Sequence, residues 1–148
     1  MNTVNKRLSQ QESDMPAVSV TINQMGPSAS SASVRGHSLT MDRPEAKGGS
    51  NQGMMGGEAL LSGLGGCFTS NLLAAAVARS IPIGNVKTVV TGQLSDEGPS
   101  RFVAINLSVA CDGCSTDEFS KLVTIAERGC IVANTLRTSV ELSVLLAP

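Results

Sequence analysis

Four cysteines are the residues of this sequence best able to do chemistry: Cys67, Cys111, Cys114 and Cys130. A thiolate is both a nucleophile and a metal ligand, and cysteines kept reduced in a cytosolic protein indicate redox chemistry or metal binding rather than structural disulfides. Cys67 and Cys130 lie far apart in the chain, so spacing alone does not bring them together. Two buried structural thiols are the alternative, because cysteine packs as a small apolar side chain.

Cys111 and Cys114 form a C-x-x-C motif immediately before a capping box that runs from Ser115 to Glu118, where a helix should begin. Structural zinc usually takes four ligands, but the sequence has no second C-x-x-C and only one histidine. A thioredoxin-like site would require a βαβ context, which the flanking pattern does not provide. An accessory redox pair, a metal site and incidental loop thiols therefore all stay open.

The periodicity of apolar residues predicts an α+β fold with the order β-β-α-β-β-α-β. The predicted strands cover residues 17–23, 32–41, 86–94, 102–110 and 139–146, and the predicted helices cover 58–80 and 115–129. Cys67 lies inside the first helix, directly after Gly63, Gly65 and Gly66. Each glycine costs roughly 0.8–1 kcal/mol relative to alanine. Close approach of a backbone or a substrate would justify that cost, and so would tight helix packing.

Length and composition predict one globular domain over residues 16–148, preceded by a disordered tail at 1–15. A net charge of −1 and an aromatic content of 2% argue against nucleic acid as a partner. No leader pattern and no apolar stretch long enough for a bilayer stand out, so we expect a cytoplasmic protein without membrane association. The glycine-rich loop at 48–57 lacks a P-loop lysine, which argues against bound nucleotide.

Three segments resemble the OsmC/Ohr family of osmotically inducible and organic hydroperoxide resistance proteins. Residues 57–67, Gly-Glu-Ala-Leu-Leu-Ser-Gly-Leu-Gly-Gly-Cys, look like the family's acidic, leucine-rich helix that runs into its first cysteine. Asp42-Arg43-Pro44 and the glycines after it resemble the preceding loop. Residues 126–136 resemble the segment that bears the second cysteine. The resemblance covers roughly residues 17–146 and includes the order of the strands.

The resemblance implies an intertwined homodimer in which helices pack between two sheets and the active sites lie at the interface. It also implies that Cys67 is the peroxidatic thiolate and Cys130 the resolving thiol. The substrate would be an organic, fatty-acid-like hydroperoxide. The reaction would pass through a sulfenic acid and a Cys67–Cys130 disulfide, which a dithiol reductant reopens without any metal, haem or flavin.

The groups that would activate Cys67 depart from the family pattern. Members usually carry an acid ten positions before the first cysteine, paired with an arginine, whereas here that position is Gly57 and the acid is Glu58. Neighbours on a helix point about 100° apart. Cys67 lies in the middle of a helix, so we expect a nearby cation to lower its pKa, and Arg35 is the candidate. Alternatively, Arg35 is an ordinary exposed strand residue and Glu58 complements the helix dipole.

These departures keep a second function open. The chain would then be a non-catalytic small-molecule binder or redox sensor that uses an apolar pocket at the dimer interface.

Overall fold

The computed structural model describes residues 15–147, which divide into two units, 15–55 and 56–147. All of the predicted tail except Met15 lies outside the described residues. The single domain expected over 16–148 stays a prediction.

Three short antiparallel strands form the sheet of the first unit: β1 (Thr21–Gln24), β2 (Ser30–Val34) and β3 (His37–Met41), in that order across the sheet. The prediction of one strand over 32–41 was wrong, because this stretch folds back on itself. Arg35 and Gly36 form the turn, with φ values of 50° and 80°. A two-residue hairpin with positive φ at both positions matches the right-handed twist of the strands. Arg35 therefore lies in a turn and not within a strand.

Asp42 organises the glycine-rich loop that follows β3. Its side chain is buried, and its two carboxylate oxygens accept backbone N–H groups of Arg43 at 2.7 Å and of Ser50 and Gln52 at 3.1 Å each. Burial opposes ionisation, but a side-chain hydrogen bond from Ser28 and the three backbone donors outweigh it, so the pKa of Asp42 lies below its ordinary value. One carboxylate thus closes a loop of about ten residues.

Replacing Asp42 with alanine is expected to speed amide hydrogen exchange at Ser50 and Gln52, because their N–H groups lose their acceptor. Glu45→Ala, an exposed change within the same loop, is the control and should leave that exchange unchanged. A depressed pKa in the folded state means that the protection is present at neutral pH and is lost only as the pH falls through that lowered pKa. Equal exchange in the parent and Asp42→Ala would show that the carboxylate does not hold the loop.

The second unit contains α1 (Gly56–Ala78), β4 (Gly84–Leu94), β5 (Phe102–Asp112), α2 (Thr116–Gly129) and α3 (Ile131–Arg137). β4 and β5 form an antiparallel two-stranded sheet, and α1 packs against β4, α2 and α3. Helices and antiparallel sheets together confirm the predicted α+β class. The buried core consists of Leu64, Phe68, Leu72, Ala75, Ala76, Leu122, Ala126, Cys130 and Ala133.

Helix α1 is the central element of this unit. Its 23 residues are long and apolar enough to cross a membrane by length and composition, so the expectation that no apolar stretch reaches that length was wrong. However, Leu64, Phe68 and Leu72 form an i, i+4, i+8 stripe that is buried against the other elements of the unit. We therefore interpret α1 as the core helix of a globular unit.

One of the three glycines before Cys67 has a packing role within the protomer. A Cβ atom at Gly65 would lie 3.0 Å from Val90 Cγ2, so the absence of a side chain lets β4 lie close to α1. Added Cβ atoms at Gly63 and Gly66 would meet nothing within 4 Å among the described residues. Tight packing thus accounts for Gly65 alone.

The strand predicted over residues 139–146 is absent, and the chain from 138 to 147 adopts no regular structure. Its alternating apolar side chains are exposed, Leu142 at 88% and Val144 at 91%. A strand needs a neighbour to pair with, and none of the described strands lies beside this segment. The residues just before it, which had no assignment from sequence, instead form α3.

Candidate active site

Cys67 and Cys130 come together in the second unit. Cys67 lies midway along α1 and is half-buried, whereas Cys130 is fully buried. Cys130 ends α2 and also caps the start of α3, because one residue separates the two helices. The two thiols are close enough to shift each other's pKa, with the Cys130 thiol acting as a donor toward the Cys67 sulfur. Both cysteines are free thiols.

The start of α3 provides hydrogen-bond donors to Cys67. Burial raises the pKa of the Cys67 thiol, but the backbone N–H of Val132, the Cys130 thiol and the backbone N–H of Ile131 outweigh it, and the pKa lies below its ordinary value. The first N–H groups of a helix have no partner within the helix, and they carry its positive end. Backbone donors therefore do what the sequence analysis assigned to a cation.

The pKa of Cys130 is shifted in the opposite direction. Burial raises the pKa of Cys130, and the backbone N–H of Ala133, whose nitrogen lies 3.4 Å from Sγ, lowers it. The hydrogen bond and the charge of Cys67 raise the pKa further, so the net shift is upward. The pair therefore holds one proton preferentially on Cys130. A thiolate is the nucleophilic form of cysteine. Cys67 is consequently the more readily ionised sulfur of the pair, and Cys130 is held as a thiol.

Asn71, which the sequence analysis missed, connects the two cysteine-bearing segments. Its Nδ2 donates to the backbone oxygen of Cys67 at 2.8 Å and lies 3.8 Å from Cys67 Sγ. Asn71 also lies close to Gly129 at the end of α2. A Cβ atom at Gly129 would lie 2.8 Å from Asn71 Oδ1, so a residue without a side chain leaves room for Asn71 there. A polar residue one helical turn after Cys67 in an apolar helix was the available signal.

The opposed pKa shifts predict different pH profiles of alkylation by iodoacetamide. Because only the thiolate reacts, alkylation of Cys67 should reach half its maximal rate below the ordinary thiol pKa of about 8.5, and that of Cys130 above it. Tryptic peptides 48–79 and 129–137 report the two residues separately. The control is the urea-unfolded chain, in which both profiles should converge. A Cys67 profile at or above that of the unfolded chain would contradict the assignment.

Glu58 does not approach Cys67 within the protomer. It is exposed in the first turn of α1, nine residues before Cys67, which is about 13.5 Å along the axis and half a turn around it. Its position also fits a first-turn acid that complements the helix dipole. Arg35 is exposed in the β2–β3 turn of the first unit. The catalytic roles of both residues stay predictions.

A cavity of about 640 Å³ lies in the second unit; neither Cys67 nor Cys130 lines it, but residues close to each of them in the chain do. Phe68, which follows Cys67, and Ala133, which donates to Cys130, are part of its wall. Most of the remaining wall is apolar and includes Leu60, Leu64, Phe102, Ile105 and Leu136. Glu127 and Arg137 also line the cavity and form an ion pair with each other. The cavity is suited to an apolar ligand of modest size.

The sequence pattern of the family described as OsmC-like protein matches residues 49–144, which is most of the chain and includes both cysteines. The chain belongs to the OsmC-like family. The resemblance seen in the sequence and the expected α+β OsmC-like fold are thereby confirmed. The intertwined homodimer stays a prediction. Comparison with curated proteins gave no match.

Solved structures share the fold of this OsmC-like protein. An OsmC-like protein from Mycoplasma pneumoniae is 26% identical, with a TM-score of 0.72 over 82% of this chain and 88% of that one. An organic hydroperoxide resistance protein from Elizabethkingia anophelis is 17% identical, with a TM-score of 0.58 over 82% and 90%. Another from Legionella pneumophila is 19% identical, with a TM-score of 0.56 over 83% and 92%.

Proposed function

We propose that this OsmC-like protein is a thiol-dependent peroxidase that reduces organic hydroperoxides, with Cys67 as the attacking and Cys130 as the resolving residue. The observation that carries the proposal is a pair of contacting thiols with opposite pKa shifts, in which backbone donors from α3 favour the Cys67 thiolate. The relatives from E. anophelis and L. pneumophila, described as organic hydroperoxide resistance proteins, support the substrate class.

The first step of the proposed reaction consumes the peroxide. The Cys67 thiolate attacks the terminal oxygen of the hydroperoxide, a sulfur–oxygen bond forms, and the O–O bond breaks. Cys67 becomes a sulfenic acid, and the departing alkoxide takes up a proton to leave as an alcohol. The N–H groups of Ile131 and Val132 favour this step because they stabilise the thiolate before attack.

The second step restores the enzyme. The Cys130 sulfur attacks the sulfenic sulfur of Cys67, a disulfide forms, and water leaves. A dithiol reductant then opens the disulfide by thiol–disulfide exchange and supplies the two electrons that the peroxide consumed. Such recycling needs a reducing compartment, so we propose a cytoplasmic location and a role in the response to oxidative stress.

The apolar cavity favours an organic substrate. Its volume of about 640 Å³ and its aliphatic and aromatic wall suit the carbon chain or ring of a hydroperoxide rather than hydrogen peroxide alone. Burial of that apolar part would supply binding energy roughly in proportion to the area removed from water. A fatty-acid-like hydroperoxide is therefore the proposed natural substrate class.

The proposed function is tested by the consumption of cumene hydroperoxide in the presence of excess dithiothreitol, compared with the dithiol alone. We expect catalysed turnover with one cumyl alcohol formed per peroxide, and slower turnover of hydrogen peroxide under the same conditions. A rate equal to that of the dithiol alone would exclude a peroxidase.

We also propose that the protein works as a homodimer, because large apolar side chains of the second unit face solvent. Leu142, Val144 and Leu145 of the C-terminal segment are 85–91% exposed, and Val77 on α1 is 81% exposed. Exposed apolar surface of this kind marks an interaction site. A second copy could supply the pairing partner that residues 139–146 lack in one protomer.

The double substitution Leu142→Asp and Val144→Asp is expected to convert the dimer to a monomer, because charged side chains would have to be buried at the interface. Light scattering after gel filtration should give the parent twice the chain mass of 15.2 kDa and the variant that mass itself. Glu141→Gln serves as the control within the same segment. A monomeric parent would contradict the proposal.

The same cavity also supports the alternative function, a non-catalytic binder or redox sensor. That alternative predicts a saturable interaction with an apolar ligand and no peroxide turnover. Calorimetric titration with a medium-chain fatty acid, together with the peroxide assay above, separates the two functions. Binding with turnover supports the enzyme, and binding without turnover supports the binder.

A further inference from the structure

We propose that Cys111 and Cys114 form a second thiol–disulfide exchange site, which takes low-molecular-weight disulfides such as oxidised glutathione and closes to an intramolecular disulfide. Their sulfur atoms lie 3.9 Å apart in the loop between β5 and α2. Both side chains are half-buried free thiols. The proposal does not depend on peroxidase activity.

The loop that carries the pair is fixed at both ends. Asp112 pairs with Gly84 in the sheet, and its Oδ2 accepts Asn85 Nδ2 at 2.9 Å. Gly113 has a φ of 99°, and a Cβ atom there would lie 3.0 Å from the Pro82 carbonyl oxygen, so this position requires glycine. Cys111 therefore stands on an anchored strand end whose turn is shaped by its neighbours.

The other end of the loop is fixed by the helix cap. The Ser115 side chain accepts the Glu118 N–H, and Glu118 Oε2 accepts the Ser115 N–H at 2.9 Å, which holds the residue next to Cys114 in place. Closing the bridge brings the sulfurs about 2 Å closer, to the disulfide bond length of about 2.05 Å. We expect rotation of the two side chains to provide this shift while β5 and α2 stay folded.

The electrostatics give the two sulfurs different roles. The pKa of Cys111 is raised by burial, by its hydrogen bond to Cys114, and by the negative charges of Cys114 and Asp112. Cys111 is thus held as a thiol, so we assign Cys111 as the resolving residue and its neighbour Cys114 as the attacking one.

The exchange balances without any other reactant. The Cys114 thiolate attacks one sulfur of oxidised glutathione, a mixed disulfide forms, and one glutathione thiolate leaves. Cys111 then gives up its proton and attacks the Cys114 sulfur, which releases the second glutathione as a thiol. Two protein thiols are oxidised and one glutathione disulfide is reduced.

Two observations favour an exchange site over the alternatives. No group of three or more His, Cys, Asp or Glu side chains within residues 15–147 could hold a metal ion, so a metal would find two ligands here instead of the usual four. The pKa of Cys111 depends on Cys114 and Asp112, and that of Cys67 depends on Cys130. The two cysteine pairs are therefore separate.

Tryptic peptide 102–121 allows a direct test, because it contains Cys111 and Cys114 and neither of the other cysteines. The folded full-length chain is incubated in glutathione buffers of increasing oxidised fraction and is then alkylated and digested with trypsin. The mass of this peptide is measured by mass spectrometry. In the parent we expect a peptide that is lighter by two hydrogens and resists alkylation. Thiols alkylated separately at every ratio, or glutathione adducts without a bridge, would overturn the proposal.

Single variants test the assigned direction. Cys111→Ser should accumulate a glutathione adduct on Cys114, because no second thiol can displace it. Cys114→Ser should carry less adduct on Cys111 at the same ratio, because burial and the charge of Asp112 still raise the pKa of Cys111. Equal adduct in both variants would overturn the assignment of Cys114 as the attacking residue. A bridge that links peptides from two chains would likewise overturn the intramolecular site.

Discussion

Replacing Cys67 with serine is expected to lower the catalysed rate of cumene hydroperoxide reduction by roughly a thousandfold or more, because a serine hydroxyl does not ionise near neutral pH. Measured with excess dithiothreitol, the residual rate should equal that of the dithiol alone. Ser120→Ala, an exposed change on α2, is the control and should retain full activity. Substantial turnover by Cys67→Ser would show that another group attacks the peroxide.

Cys130→Ser should separate attack from recycling. Its Cys67 still meets the backbone N–H groups of Ile131 and Val132, so the first attack should proceed and leave Cys67 heavier by one oxygen. Without reductant, the parent and the variant should each release one alcohol per chain, but the parent should end as a disulfide lighter by two hydrogens, whereas the variant should keep the added oxygen on Cys67. The serine Oγ can replace Sγ as the acceptor for the Ala133 N–H, because serine is a favoured helix cap, so the fold should persist.

Substituting alanine for Leu122 is expected to produce the largest loss of stability. Leu122 is fully buried in the core where α2 packs against α1. Its truncation should lower the free energy of unfolding by about 2–5 kcal/mol, from lost transfer energy and from the cavity left behind. Urea denaturation monitored by circular dichroism measures this loss. Because α2 and α1 carry Cys130 and Cys67, the same variant should also show slower recycling.

Lys121→Ala provides the matched control for that measurement. Lys121 precedes Leu122 on α2 and is exposed, and its truncation removes a chain of similar length. Its effect on the free energy of unfolding should stay within about 0.5 kcal/mol, as is usual for surface positions. Similar losses in the two variants would mean that α2 does not pack against the core as described.

Local signals predicted the central elements of the second unit. The apolar periodicity placed α1, the alternating pattern placed β4 and β5, and the capping box at Ser115 marked the start of α2. The structure confirms the box, with both of its hydrogen bonds formed. These elements depend on contacts between residues close in sequence and on which face is apolar, and both properties can be read from a linear pattern.

The errors arose where the structure depends on a neighbour. The Arg35–Gly36 turn needs positive φ at two residues, and only the second is a type that commonly signals it. The segment 139–146 carries a strand pattern, but a strand forms only where another strand offers hydrogen bonds. The sequence of α3 lies beside Cys130, yet seven residues give too little periodicity to establish a helix.

The sequence by itself determined the family and the α+β class, because those properties follow from residue type and order, and it singled out Cys67 and Cys130 as the candidate pair. Only the tertiary structure decided what lowers the pKa of Cys67. Residues 131 and 132 carry no charged side chain, so no pattern marked them as activators. Their backbone N–H groups act on Cys67 because α1 and α3 pack together and the first turn of a helix leaves its donors free.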